Sequence, residues 1–259
     1  MIDLDKAKSA FEHYVSAYDH HVGLIQLKIV HTYEVMNITK ELCSWLSLNE
    51  EDTSLAMLIG LLHDLGRFEQ YRIYQSFEDY KTIDHALFSS QLLFQDGLIR
   101  EFIDDDRYDD IIRIAIEQHN KYKIDEDIDE RTLLFVHLIR DADKLDNFRV
   151  KETETMETLF NMSLEELENE IISDKIYQQF KDRKLIYAPD RVTHLDMWLS
   201  YIAFIYDLYF KESILYIDKY HWLDRSFGRV HPQISDVNKQ YLELKKEIEE
   251  YVKERCEGE

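Results

Sequence analysis

Six Gly, two Pro and two Cys are few for 259 residues, and 31 Lys plus Arg stand against 53 Asp plus Glu. Each scarcity excludes something. So little Gly and Pro, with few alternating β-branched stretches, leaves little material for the turns of a β protein and argues for a chain that is nearly all helix. Cys43 and Cys256 are too few and too far apart for a disulfide framework or a zinc cluster. The deficit of basic residues gives a net charge of −22 and a pI near 4.8. A surface that acidic repels phosphate backbones and anionic lipid, which argues against a nucleic-acid polymer or a membrane as partner. Any phosphate must then be handled locally, by metal or by a few placed cations. No window approaches the ~20 apolar residues of a membrane span. The opening Met-Ile-Asp-Leu-Asp-Lys lacks a basic stretch followed by an apolar one. A cytoplasmic protein is the expectation.

Hydrophobic spacing supplies the elements. Residues 3–20 place Leu4, Ala7, Phe11 and Val15 at helical intervals, and 24–46 place Leu24, Leu27, His31, Val35, Ile38 and Leu42 on one face. Ser47 and Glu50 resemble a capping box ahead of a helix over 50–65. An aromatic connector, 68–80, precedes a segment over 82–94 closed by Gly97. Amphipathic helices follow over 108–119 and 129–148. Beyond 150 the spacing predicts a helix start at Ser163 with Glu166, a core helix over 197–210, and a long amphipathic helix over 232–255 with Pro232 early in it. No linker marks a boundary. The expectation is one all-helical domain, 1–259, with its chemistry in 24–150 and a helical C-terminal extension over 151–259.

Chemistry-bearing residues recur at the ends of apolar runs. Leu55 to Leu62 carries no charge, and His63 and Asp64 follow it directly. Adjacent helical residues do not share a face, so the two converge only if the helix loosens there, and Gly66 suits a helix terminus. Buried without partners, an imidazole and a carboxylate would each cost on the order of 2–7 kcal/mol; a shared cation removes most of that. His31, His85, His119 and Asp143 occupy comparable positions, each separated from the next by room for one helix and its turn. Helices that each bring one such group to the end of an apolar face are what a metal site in a bundle requires. His13, His137, His194, His221 and His231 have no such setting, and the adjacent His20 and His21 read as surface.

Taken in order, His31, His63-Asp64 and Asp143 resemble the HD-domain superfamily of metal-dependent phosphohydrolases, through the strings His-Asp-Leu-Gly-Arg, Asp-His-Ala and Asp-Ala-Asp-Lys-Leu-Asp. His85 and His119 match two further histidines that a subset of the superfamily uses for a second metal. The resemblance implies an HD-type helical bundle with extra C-terminal helices. It also implies divalent transition metals, two of them, with His31, His63 and Asp143 on the first, His85 and His119 on the second, and Asp64 bridging. Nitrogen and carboxylate donors suit Mn, Fe, Co, Ni or Zn. A one-metal arrangement, with His85 and His119 contacting substrate, stays open. Asp143 is preferred to Asp141 as the distal ligand because it precedes the lysine, with Asp146 one turn on as its support.

The implied reaction is hydrolysis of a small, nucleotide-type phosphoester by metal-activated hydroxide. Asp64, Arg67 and Lys144 are the catalytic candidates. Arg67 lies about one turn past His63, where the superfamily often has a basic residue; Lys144 adjoins Asp143, and Lys121 is a weaker candidate. Two other functions fit the same residues: a di-iron oxygenase of the superfamily, and a non-catalytic protein that keeps metal for stability. A homodimer is compatible with all of them.

Overall fold

A computed structural model describes residues 2–257, and every regular element among them is helical. The chain divides into two compact units, Met1–Asp143 and Lys144–Glu259. No helix among the described residues is long and apolar enough to cross a membrane.

The first unit is built from α1 (Leu4–Val15), α2 (Gly23–Trp45), α3 (Glu50–Leu62), α4 (Leu65–Tyr74), α5 (His85–Ser90), α6 (Ile99–Phe102), α7 (Asp109–Gln118) and the first part of α8 (Glu130–Thr153). Asp3 starts α1 by accepting from the amides of Asp5 and Lys6, and Ala7, Phe11 and Val15 form its buried face. The expected continuation to residue 20 does not occur; past Val15 the chain turns, and His20 Nε2 donates to the Val15 carbonyl at 3.0 Å. The main pairing is α2 on α3. It brings the backbones close, since a Cβ on Gly60 would sit 3.3 Å from Met36 Cα and from Thr39 Oγ1. α3 is buried from Ser54 to Leu62, which fits a helix enclosed on all sides.

Three local expectations are corrected. Ser47 adopts a left-handed backbone (φ 55°), and the cap of α3 falls to Asn49, which accepts from Asp52 N. The helix then ends at Leu62, not 65. The stretch read as an aromatic connector begins instead as α4, because Leu65, Phe68 and Gln70 all find buried places. The Phe68 ring lies 5.8 Å from Phe11 and 5.6 Å from Tyr18, and left-handed Gln75 (φ 53°) ends the helix. The remaining connector is a short 3-10 turn, Asp79–Lys81, before α5.

The second unit holds α9 (Met156–Phe160), α10 (Leu164–Glu168), α11 (Asp174–Lys181), α12 (His194–Ile202), α13 (Lys211–Lys219), α14 (Trp222–Arg229) and α15 (Ser235–Glu257). The Ser163–Glu166 capping box forms at α10, and a second one, Thr193 with Asp196, opens α12. The run expected as one helix over 197–210 tightens after Ile202 into a 3-10 turn, Ala203–Asp207. Pro232 lies outside α15 rather than early in it. The α15 residues Tyr241, Leu244 and Ile248 are buried, and Tyr241 accepts from Trp198 Nε1 at 3.1 Å.

Asp196 is fully buried and accepts from Ser173 N, Ser173 Oγ, Val192 N and Thr193 N at 2.8–3.2 Å. Removing it orphans four donors at once. Asp196→Ala is therefore expected to destabilise the second unit by about 2–4 kcal/mol, read as an earlier denaturant transition; an unchanged transition would show those donors find other acceptors.

Candidate metal centre

α3 ends at Leu62, His63 closes it with its amide bonded to the Ile59 carbonyl, and Asp64 leaves helical geometry (φ −106°, ψ 17°) before α4 begins at Leu65. This break lets two adjacent residues aim at one place. Gly66 serves it differently from the expectation of a helix terminus. It lies in the first turn of α4, where a Cβ would meet Ser89 N at 2.7 Å and the His85 carbonyl at 2.9 Å. Its own amide donates to Ser89 Oγ at 2.8 Å. Gly66 thus seats the start of α4 on α5, which sets Asp64 beside His85.

Asp64 Oδ2 lies 3.6 Å from both His31 Nε2 and His63 Nε2. Asp64 Oδ1 lies 3.3 Å from His85 Nε2 and 3.8 Å from His119 Nε2. Asp143 Oδ1 joins the first group, 3.2 Å from His31 Nε2 and 4.0 Å from His63 Nε2. One carboxylate therefore divides two clusters, with a separate oxygen facing each. The four imidazoles and Asp64 are all buried. The carboxylate facing His31 and His63 is that of Asp143; Asp141 is buried on the same helix.

Nitrogen lone pairs indicate what the cluster is suited to hold. His63 Nδ1 lies 2.8 Å from the Gly60 carbonyl and His119 Nδ1 2.7 Å from that of Ile116. A carbonyl only accepts, so in the neutral rings the proton is on Nδ1 and each Nε2 points inward bare. His85 Nδ1 lies 2.5 Å from Asp79 Oδ2, which again leaves Nε2 bare. His85 Nε2 and His119 Nε2 then face each other at 3.0 Å, two lone pairs in contact. His63 Nε2 and Asp64 Oδ1 are buried without a hydrogen-bond partner. A divalent cation in each group would satisfy these atoms. An ion held ~2.0–2.2 Å from N and O donors spaces its ligands by about 3–4 Å, the range of the separations above. The groups His31, His63, Asp64 and Asp64, His85, His119 each bring one ligand atom within 4.8 Å of the others.

Electrostatics agree. Burial pushes His63 below the ordinary imidazole value. Burial pushes His119 down further, helped by the neighbouring His85 and His63. Burial would raise the carboxyl of Asp64, but Lys28, His63, His85 and Arg67 outweigh it and hold that group well below its usual range. Asp143 behaves likewise, with His31 and His63 overcoming burial.

Arg67 stands at the edge of the cluster. Its Nη1 donates to Asp79 Oδ1, the Phe77 carbonyl and Gln70 Oε1 at 2.6–2.8 Å, while its buried Nε has no hydrogen-bond acceptor and lies 3.7 Å from Asp64 Oδ1. Lys144 directs its ammonium to Asp207 at 3.0 Å, and Asp146 forms a two-point pair with Arg149. Lys121 pairs with Asp125 in an exposed contact.

Three contributors were not anticipated. Lys28 Nζ lies 2.5 Å from Asp64 Oδ2 and is largely buried; its sign in sequence is its place one turn before His31 on α2. Arg140 is buried and caps α7 by donating to the carbonyls of Gln118, His119 and Lys121 at 2.7–3.3 Å, which fixes the His119 backbone. Asp79, against His85 Nδ1, lies in a polar connector that no periodicity distinguishes.

Residues 29–147 match the family model described as HD domain, a family composed mostly of metal-dependent hydrolases. Neither a curated protein nor a solved structure matches the chain.

In metal-stripped protein the buried imidazoles set the pH response. The folded-state pKa values of His63 and His119 lie below 6.5, so the unfolded chain takes up protons first as the pH falls through that value. Stability is then highest above ~6.5 and declines below it, by about 1.4 kcal/mol for each pH unit over which one imidazole is kept neutral. Asp64 and Asp143, with depressed carboxyl values, add a loss of the same sign below ~4. Urea midpoints between roughly pH 7 and 5 should fall with pH; a midpoint that rises toward acid would contradict the arrangement.

Proposed function

We propose that this chain, whose residues 29–147 belong to the HD domain family, is a metal-dependent phosphohydrolase acting on a small, nucleotide-type phosphoester. The observation that carries the reading is the division of Asp64 between two sets of buried imidazoles, with Lys28 and Arg67 beside it.

His31, His63, Asp64 and Asp143 would hold one divalent cation, and Asp64, His85 and His119 a second. When bound, such cations polarise a phosphoryl oxygen and lower the pKa of an attacking water toward neutrality. Lys28 supplies a compact positive charge on the Asp64 side of the cluster, suited to phosphoryl oxygens as their charge grows. Arg67, anchored through Nη1, keeps its Nε beside Asp64 and adds fixed positive potential. Both cations flank one ring: Lys28 Nζ is 5.9 Å and Arg67 Cζ 5.6 Å from the centre of Phe77. Phe77 shields them on that side from bulk water, which strengthens their field. The partly exposed side chains at the cluster are those of Lys28, Arg67, Asp79 and Asp143, at 15%, 13%, 31% and 21%. So narrow a set of openings favours a small substrate, and the net charge of −22 disfavours a polyanionic one.

Two metals per chain are expected by elemental analysis, with phosphate release from nucleotide esters abolished by chelator and restored by Mn, Fe or Co. Lys28→Ala should retain metal yet lower kcat by about 10²-fold, the typical loss of one preorganised donor. Full turnover in His63→Ala would overturn the reading. Oxygen uptake by iron-loaded protein with a substrate, without phosphate release, would transfer it to a di-iron oxygenase.

A further inference from the structure

We propose that Asp79 is a positioning residue that sets the tautomer of His85, and that the second metal site therefore depends on the connector between α4 and α5 while the first does not. The proposal rests on the two-cation reading above.

Three histidines of the cluster, His63, His119 and His85, are held in two ways. His63 and His119 each place Nδ1 against a carbonyl of their own helix, three residues back, at 2.8 and 2.7 Å. Those anchors form with the helix and cannot be altered without unwinding it. His85 is the first residue of α5 and has no preceding turn to supply a carbonyl. Its Nδ1 meets Asp79 Oδ2 at 2.5 Å, a carboxylate from the 3-10 turn Asp79–Lys81. A carboxylate accepts only, so the proton stays on Nδ1 and Nε2 faces Asp64 and His119 as a lone pair. Such a partner also raises the basicity of a ligating imidazole.

Asp79 is itself oriented. Its other oxygen, Oδ1, accepts from Arg67 Nη1 at 2.6 Å and from Gln70 Nε2 at 3.1 Å. Gln70 is fully buried and also bonds Thr82 Oγ1 at 2.8 Å and the Ile83 carbonyl at 3.0 Å. The two donors from α4 thus fix which oxygen faces which way. An asparagine at this position would keep its oxygen toward Arg67 and Gln70 and turn its NH2 to His85 Nδ1. That donor forces the ring proton onto Nε2, which removes the lone pair the metal needs. The amide is therefore worse for ligation than no side chain, whereas for simple mechanical support of the loop it would be nearly neutral and alanine the damaging change.

Co²⁺ titration of wild type, Asp79→Ala and Asp79→Asn, followed by absorption and calorimetry, separates the two roles. The first site should be unchanged in all three. The second should weaken by about 10–100-fold in D79A, the usual loss when a metal ligand's support is removed, and further in D79N. Nitrogen-15 spectra of the metal-free proteins should show the His85 proton on Nδ1 in wild type and on Nε2 in D79N. This readout stands apart from metal and from activity, and D79A covers the case in which D79N folds poorly. The proposal fails if D79N matches wild type at the second site, if D79A is the weaker variant, or if both sites weaken together. A wild type that binds no Co²⁺ overturns the two-cation reading and this inference with it; two intact sites in D79N overturn this inference alone.

Discussion

The Asp64 carboxylate is the constraint on which the first unit is built. It is buried, ionised and shared between two groups of imidazoles, one on each of its oxygens. Left to itself such a group would not fold into a core, because an isolated buried charge costs far more than a domain's net stability. Lys28 and Arg67 supply part of the compensation within the protein. The local architecture follows from keeping the carboxylate in place: the break between α3 and α4 aims it, Gly60 brings α3 onto α2 so that His31 can reach it, and Gly66 seats α4 on α5 so that His85 can.

How much of this could be read from the chain depended on whether a residue sits on a periodic element. Scarce Gly and Pro predicted an all-helical protein, and the helical architecture agrees. His31, His63, Asp64, His85, His119 and Asp143 were visible because each ends or interrupts an apolar run, and the structure brings the six together. Arg67 was expected to face a phosphate, yet its Nη1 is committed to the connector; sequence shows that a guanidinium is near but not which of its nitrogens are engaged. Boundaries failed where a side chain overrode the pattern. The cap of α3 and the start of α4 were set by a left-handed Ser47 and by the burial of Phe68 among distant aromatic rings, and past the end of α1 His20 takes the Val15 carbonyl; local spacing encodes none of these.

Lys28, Asp79 and Gln70 were out of reach for a related reason. Their importance lies in which atom they face, not in where they fall along a helix. Lys28 resembles any solvated lysine on an amphipathic helix until its Nζ is found 2.5 Å from Asp64. Asp79 belongs to a polar connector in an acidic protein, one carboxylate among 53 acidic side chains. Periodicity identifies the residues that a core must bury, whereas the groups that orient a site come from turns.

The acidity of the chain also takes on a different meaning beside this site. A net charge of −22 disfavours anionic substrates at long range, but salt screens such interactions beyond about 8–10 Å. Inside the first unit the balance is local: Lys28 and Arg67 sit on the one carboxylate that both clusters share, in surroundings where water is largely excluded. There a single fixed charge weighs more than several exposed ones of opposite sign. An acidic exterior is therefore compatible with the proposed phosphate chemistry: it opposes large polyanions, whereas a small phosphoester would meet chiefly the few buried charges of the cluster.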